Sequence, residues 1–412
     1  MSSLNIFPDN RERMQHRDTM SIRKNYTFTL YACYVGYITQ AIINNFAPLL
    51  FLTFRADYRL PLEQISLLVT LNFCTQLVVD LLSAKFVDRI GYRICVVAAH
   101  FFSATGLVCL GVLPGLLPDP YPGLCIAVIL YAVGGGLIEV LVSPIVEACP
   151  TEGKSAAMSL LHSFYCWGSV LVILVSTGLF AWLGYGAWPK IACLWALVPF
   201  LNAFLFMRVP INTLVDAGES MSIPELLRSR LFWLFALLML CSGASELSMS
   251  QWASAFAESG IHVSKTVGDL AGPCLFAVLM GCSRVFHSRF AEKIDLYSYL
   301  GASALLCIAS YLLASLAPSP LLSLAGCALC GISVGAMWPG AFSLSNRTCP
   351  RGGTAMFALL SLAGDAGCSL GPTTVGFVSA ALGDNLKSGL LAALIFPLAM
   401  FAGIRYMRRN VQ

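Results

Sequence analysis

Charge is scarce in this chain. Lysine, arginine, aspartate and glutamate together make up 11% of its 412 residues, against about 25% in an ordinary soluble domain. Apolar residues fill 58%, and mean hydropathy is +0.77, so lipid rather than water is the expected solvent for most of it. The five histidines, His16, His100, His162, His262 and His287, are too scattered to suggest a metal centre or a nucleophile–base set. There is no Gly-x4-Gly-Lys-Ser/Thr phosphate loop, which removes ATP as a driving force. The polar, charged start lacks the short apolar core of a cleaved signal peptide, and none is expected. The sixteen cysteines fall almost wholly in apolar stretches and read as small hydrophobes rather than a disulfide framework. Cys327-x-x-Cys330 has no second pair, so a packing role is expected for it.

Long apolar runs are what the chain does have. A spanning helix needs about 20 mainly apolar residues. The candidates are 27–53, 63–83, 94–117, 122–147, 157–183 and 187–208, then 231–257, 266–287, 297–317, 320–345, 354–382 and 385–407. Spans 3 and 4 are split only by Pro118-Asp119-Pro120-Tyr121-Pro122, and spans 9 and 10 by Pro318-Ser319-Pro320, where proline forces a turn. The expected organisation is a tail (1–25), six helices (26–208), a polar linker (209–230), six more (231–407) and a short tail (408–412). With the N-terminus inside, 20 of the 25 basic residues fall on the cytoplasmic side, among them Arg11, Arg89, Arg208, Arg230, Arg351 and Arg409. Only Arg55, Arg59, Lys190, Lys265 and Lys387 fall on the other. That asymmetry predicts a multi-pass protein of the plasma (inner) membrane with both termini cytoplasmic.

The chain also repeats itself at half-length. Ala84-Lys85-Phe86-Val87-Asp88-Arg89-Ile90 is echoed by Ser288-Arg289-Phe290-Ala291-Glu292-Lys293-Ile294. Near an offset of 200 residues, Gly135, Ser143 and Cys149-Pro150 are echoed by Gly335, Ser343 and Cys349-Pro350. Two copies of one unit in so apolar a chain point to a transporter built from parallel halves.

These features resemble the major facilitator superfamily over nearly the whole length. Ala84, Asp88, Arg89, Gly91 and Arg93 look like its signature between spans 2 and 3. The resemblance implies an all-α membrane fold of twelve helices in two pseudo-symmetric six-helix bundles. It also implies a cytoplasmic latch between the halves from Asp88, Arg89 and Arg93 with the echoing Glu292 and Lys293. A finer resemblance, to the fucose permease-like branch of sugar–proton symporters, rests on three stretches. They are Gly134-Gly135-Gly136-Leu137-Ile138-Glu139, Leu161-His162-Ser163-Phe164, and Gly243-Ala244-Ser245-Glu246 with Trp252. Span 1 carries Asn44-Asn45 where that branch has an acid.

An ionised carboxylate at mid-bilayer costs about 2.5–3.5 kcal/mol even on the lenient insertion scale, so it faces a cavity or a partner. Glu139, Glu246 and Asp365 sit well inside their spans, among small and polar residues. A carboxyl in a dry site can trade its proton near neutrality, which makes all three candidate proton carriers. Tyr37, Gln40 and Asn44 stack on one face of span 1, with Asn45 beside them; Asn72, Gln76 and Asp80 do the same on span 2. Such amides suit a hydroxyl-bearing solute, and they equally suit helix–helix bonding. His162, Gln251, Trp252 and Trp338 complete the candidate binding set. Arg284, inside span 8, is expected either to reach the surface or to neutralise a carboxylate such as Asp365.

The expected function is secondary active transport of a small polar solute, possibly a sugar, by alternating access with a coupling proton. Export of amphipathic drugs is the alternative within the superfamily. A non-transporting sensor or a membrane enzyme is the alternative outside it, disfavoured by the scattered histidines and the short linker. The expected partners are the solute, a proton and the lipid bilayer, with no cofactor, no nucleic acid and a monomeric chain.

Overall fold

The computed structural model describes residues 25–150, 154–212, 221, 223–290, 295–349 and 353–410. Among them every regular element is a helix. Eleven helical segments are long and apolar enough to cross a bilayer. The remaining span, Gly353–Ala381, is a 29-residue helix. The result is twelve spanning helices in two six-helix halves.

Spans 3, 4, 5, 6, 9 and 11 lie within three residues of expectation at Tyr92–Leu116, Pro120–Ala148, Lys154–Leu183, Trp188–Phe206, Leu296–Leu316 and Gly353–Ala381. Span 2, Leu62–Ile90, runs well past its expected end at 83. Charged residues there end the apolar run but not the helix. Gly91 ends it, at φ 97°, a left-handed conformation that glycine adopts without strain.

Five spans are interrupted. Span 1 is helical over Tyr26–Asn45, tightens to a 3₁₀ turn at Ala47–Leu50 around Pro48, and resumes at Phe51–Tyr58. Proline brings no N–H to the helix ladder. Span 7, Arg230–Ala255, widens into a π-turn at Phe256–Gly260. Span 8 is Lys265–Asp269 and Leu275–Phe290, joined by a π-turn containing Pro273. Span 10 breaks between Gly335 and Met337, and span 12 between Ala393 and Ile395. The stretch expected as a plain linker holds a short helix, Ile223–Arg228.

The two halves pack alike. In the first, span 3 lies against 4 and 6, span 2 against 4, and span 1 against 4, 5 and 6. Adding six to each number gives the pairs of the second half: 9 with 10 and 12, 8 with 10, and 7 with 10, 11 and 12. The halves meet along two seams related by the same shift, span 2 on 11 and span 5 on 8. One face of the molecule carries the linker; the opposite face carries the turns at Arg59, Leu117 and Gly184 in the first half and at Ile261, Ala317 and Gly383 in the second.

Spans 7 and 11 approach closely because glycine lies between them. A Cβ on Gly367 would stand 2.0 Å from the Leu240 carbonyl oxygen, and one on Gly243 would stand 2.3 Å from that of Gly364. Gly367→Val is therefore expected to cost about 1–3 kcal/mol through overpacking, read as a lowered melting temperature of the purified protein.

Asp295 caps span 9, accepting from the Tyr297 and Ser298 N–H groups at 3.3 and 3.1 Å, and Arg408 lies 3.6 Å away. Hydrogen bonding from the Ser298 side chain, then from these N–H groups, with the Arg408 charge, holds its carboxyl below the usual range. The folded value lies below the unfolded one, so the stabilisation is complete above about pH 4 and is lost as pH falls through the folded value. Asp295→Ala is expected to lower stability by about 1 kcal/mol or less at neutral pH. The melting-temperature gap to the unaltered protein should close as pH falls to about 3.

Candidate functional site

The amides of spans 1 and 2 meet as a ladder. Gln40 Nε2 donates to Gln76 Oε1 at 2.9 Å and to Glu139 Oε2 at 3.1 Å. Gln76 Nε2 donates to Asn44 Oδ1 at 3.1 Å and to Asn72 Oδ1 at 3.0 Å, and Asn72 Nδ2 donates to Asn44 Oδ1 at 3.1 Å. The four-residue spacing on each helix puts the donors of one opposite the acceptors of the other. Span 4 reaches the ladder because it is bare there: a Cβ on Gly135 would stand 2.8 Å from Gln40 Oε1, and one on Gly136 3.1 Å from the Gln76 backbone. Glu139, one turn on from Gly135, thus meets Gln40.

The second half contributes an ion pair. Arg284 of span 8 donates to Glu246 Oε2 of span 7 at 3.3 Å, with side chains 19% and 8% exposed. Of the two alternatives expected for Arg284, the surface or a carboxylate such as Asp365, it takes a carboxylate, and the partner is Glu246. Trp338 is seated over Gly364, where a Cβ would strike its ring at 2.2 Å. In the first half, Tyr37 shares a hydrogen bond with Ser143 at 3.1 Å and meets the His162 ring edge-on at 5.4 Å.

These groups line one cavity between the halves, about 770 Å³ with its open mouth included. Eight of the sequence-derived candidates are on its wall: Tyr37, Gln40, Asn44, Glu139, His162, Glu246, Trp338 and Asp365. Tyr165, Gln76 and Arg284 stand beside them. Gln76 was legible in the four-residue spacing of span 2, whereas nothing in the sequence set Tyr165 apart from other aromatics. A smaller, mainly apolar pocket lies behind Asn44, and Asn72 and Gln251 border that one instead. Gln251 reaches across the halves to donate to the Asn44 carbonyl at 2.8 Å. Asn45 turns away to the Ala41 carbonyl and the Ser169 hydroxyl. Trp252 is fully buried against Phe51, its indole N–H donating to the Pro372 carbonyl at 3.0 Å, which makes it a packing residue and not a cavity wall.

The latch expected from the signature lies mostly outside the described residues: Glu292 and Lys293 entirely, Asp88 and Arg89 as to their side chains. Arg93 is described, and it donates to the Phe206 and Val209 carbonyls at 2.8 and 2.9 Å. It ties span 3 to the end of span 6 within one half, which differs from the inter-half contact expected of it.

On the opposite face the halves are bonded by a set the sequence reading missed. Asp269, fully buried, accepts from Ser254, and from Thr177 of the other half at 3.4 Å. Lys265 lies 3.5 Å from Asp269 and donates to the Leu49 carbonyl of the other half at 2.6 Å. Lys265 and Asp269 are four apart on one helix, a signal that was available in the sequence. Arg55 pairs with Asp384 on the surface nearby. Lys265→Met would leave a buried carboxylate uncompensated at a cost of about 3–5 kcal/mol. Arg55→Met, whose pair is 39% and 43% exposed, should cost about 1 kcal/mol or less. Thermal melts of the two variants should therefore separate widely, with stability restored in a Lys265→Met, Asp269→Asn double variant.

Comparison with known proteins agrees with this architecture. The profile of the Major Facilitator Superfamily matches residues 32–372. The chain belongs to that superfamily. It is 24% identical to membrane protein MosC of Rhizobium meliloti over 284 residues, 69% of this chain; the match spans 66% of MosC, just under two thirds of its length. Among solved structures, a bacterial homologue of the human lysosomal transporter Spinster, inward-facing and occupied, superposes with a TM-score of 0.74 at 15% identity, covering 93% of this chain and 97% of that one. The D-xylose-proton symporter gives 0.71 at 14% identity, and the E. coli fucose:proton symporter FucP gives 0.62 at 17%, each covering 92% of this chain and 98% of its own. At such identities the likeness shows the fold.

Proposed function

We propose that this superfamily member is a secondary active transporter of a small, hydroxyl-bearing solute, coupled to protons and working by alternating access. The observation that carries the reading is the state of Glu139. It is held at the cavity wall by the Gln40 amide, while Arg284, on the same wall, is paired with Glu246. An acid on the wall of a solute cavity, bonded to a neutral amide, can take up and release a proton as access alternates. Glu246, compensated by Arg284, is the poorer carrier of the two and the better anchor for a hydroxyl.

The polar wall supports a sugar-like solute over an amphipathic drug. Gln40, Asn44 and Gln76 offer amide groups, and Tyr37, Tyr165 and Trp338 offer flat faces to a ring. The structural neighbours named as fucose and xylose proton symporters support the same class. The bias of basic residues to the linker face supports cytoplasmic termini in a plasma membrane, and closure of the opposite face then leaves the cavity to the cytoplasmic side.

The test uses proteoliposomes and a monosaccharide panel that includes fucose and xylose, with a dye panel as the alternative. A transported sugar is expected to alkalinise the outer medium as it enters. Glu139→Gln should abolish uphill uptake and solute-driven proton movement, a loss of about 100-fold or more, while solute exchange persists. Normal uphill uptake in Glu139→Gln would overturn the assignment, and movement of dyes but no sugar would overturn the solute class.

A further inference from the structure

The seam between spans 2 and 11 is fastened by small polar contacts along its length. From the opposite face inward, the Ser66 hydroxyl donates to the Thr373 carbonyl, the Thr70 and Thr373 hydroxyls share a hydrogen bond, and Cys74 Sγ lies 3.3 Å from Ser369 Oγ. The next polar pair along the same stripe is two acids. Asp80 of span 2 and Asp365 of span 11 are within hydrogen-bonding range of each other, across the halves.

Two carboxylates in that position have nothing to bond with. Neither can donate, and Asp80 Oδ1 is then left buried with no partner. Asp365 is 8% exposed and borders the central cavity. Among the described residues, the titratable groups facing the pair add no positive charge. Span 4 presents Glu139, span 11 presents Cys368, and span 7 presents Glu246 beyond that thiol, with its charge already met by Arg284 of span 8. The helix at Ile223–Arg228 that touches span 11 carries Glu225 and Arg228 at the linker face, and span 12 carries Lys387 at the opposite face. Like charges at contact distance in a dry site repel by several kcal/mol. A single proton removes both faults: one carboxyl becomes a donor to the other, and the repulsion disappears.

We propose that Asp80 and Asp365 form a second proton-binding site, distinct from Glu139, in which one shared proton fastens the two halves along the seam of spans 2 and 11. Release of that proton, through the cavity that Asp365 borders, sets two negative charges against each other and loosens the seam. Proton occupancy there sets the balance between the two access states, so the proposal rests on the alternating-access reading above but not on Glu139 as carrier.

The experiment is hydrogen–deuterium exchange of the purified full chain, with labelling times corrected for intrinsic pH dependence. Peptides from spans 2 and 11 are expected to lose protection by about tenfold between about pH 6 and about pH 8.5. Asp80→Asn supplies an N–H donor to Asp365 with no proton required, so its seam should stay protected and lose the pH response. Asp365→Asn, the mirror variant, should behave alike and covers the case in which the first does not fold. Glu139→Gln should keep the pH response while losing coupled transport. A pH-independent seam in the unaltered protein, or an unchanged response in a folded Asn variant, overturns the proposal. A response that vanishes in Glu139→Gln overturns it as well and leaves Glu139 as the proton site. Coupled transport that survives Glu139→Gln, with the seam response intact, overturns the carrier assignment and leaves the acid pair standing.

Discussion

Every polar group at mid-bilayer must find its partner inside the protein, because the hydrocarbon offers none. The rest of this structure follows from that constraint. Four amides on spans 1 and 2 bond to one another, Glu246 takes Arg284, and Asp269 takes Ser254, Thr177 and Lys265. Apart from the two four-residue pairs, Asn72–Gln76 and Lys265–Asp269, none of these partners is close in sequence. The polar residues act as cross-helix bonds, and the cavity is the space left where two such bonded halves face each other.

The same constraint explains how far the sequence could be read. Span positions were legible because hydropathy is a property of one segment at a time. Span 2 overran its expected end because helix propensity continues after lipid exposure stops, until Gly91 turns the chain. The central acids were legible because a carboxyl among apolar residues is conspicuous on its own. Their partners were not. Arg284 could serve Asp365 or Glu246 as far as one chain shows, and the choice depends on the rotation of span 8 against 7 and 11. Trp252 and Trp338 look alike in sequence, yet one is packed under Phe51 and the other stands at the cavity wall. Both rings lie against a glycine, Gly376 for Trp252 and Gly364 for Trp338, so the difference lies in the surrounding helices and not in a small neighbour.

The half-length repeat has a physical counterpart in helix pairing, where the main contacts of the first half recur six spans later. Repetition stops at the level of polar chemistry. The first half holds its mid-membrane acid with an amide, and the second holds its own with a guanidinium. In the function proposed above, pseudo-symmetric scaffolding with unlike charge on its two inner walls would let one half exchange a proton while the other keeps its ion pair.

The two seams also differ in kind, and that difference bears on how the halves move. Along spans 5 and 8 the seam is bare at Gly281, which faces Cys166 and Trp167, and is bonded at the opposite face, where Thr177 donates to Asp269. The glycine stretch can shift with little change in bonding, whereas the Thr177–Asp269 bond must break for the halves to part on that face. Along spans 2 and 11 the contact is a row of hydroxyls ending in two carboxyls. Hydroxyl pairs can be remade with water as the seam opens, whereas the carboxyl pair holds together only while a proton is present. In the alternating access proposed above, the seam of spans 2 and 11 would yield only when the cavity can accept the proton of its acid pair, which gives the motion a dependence on proton occupancy that the seam of spans 5 and 8 lacks.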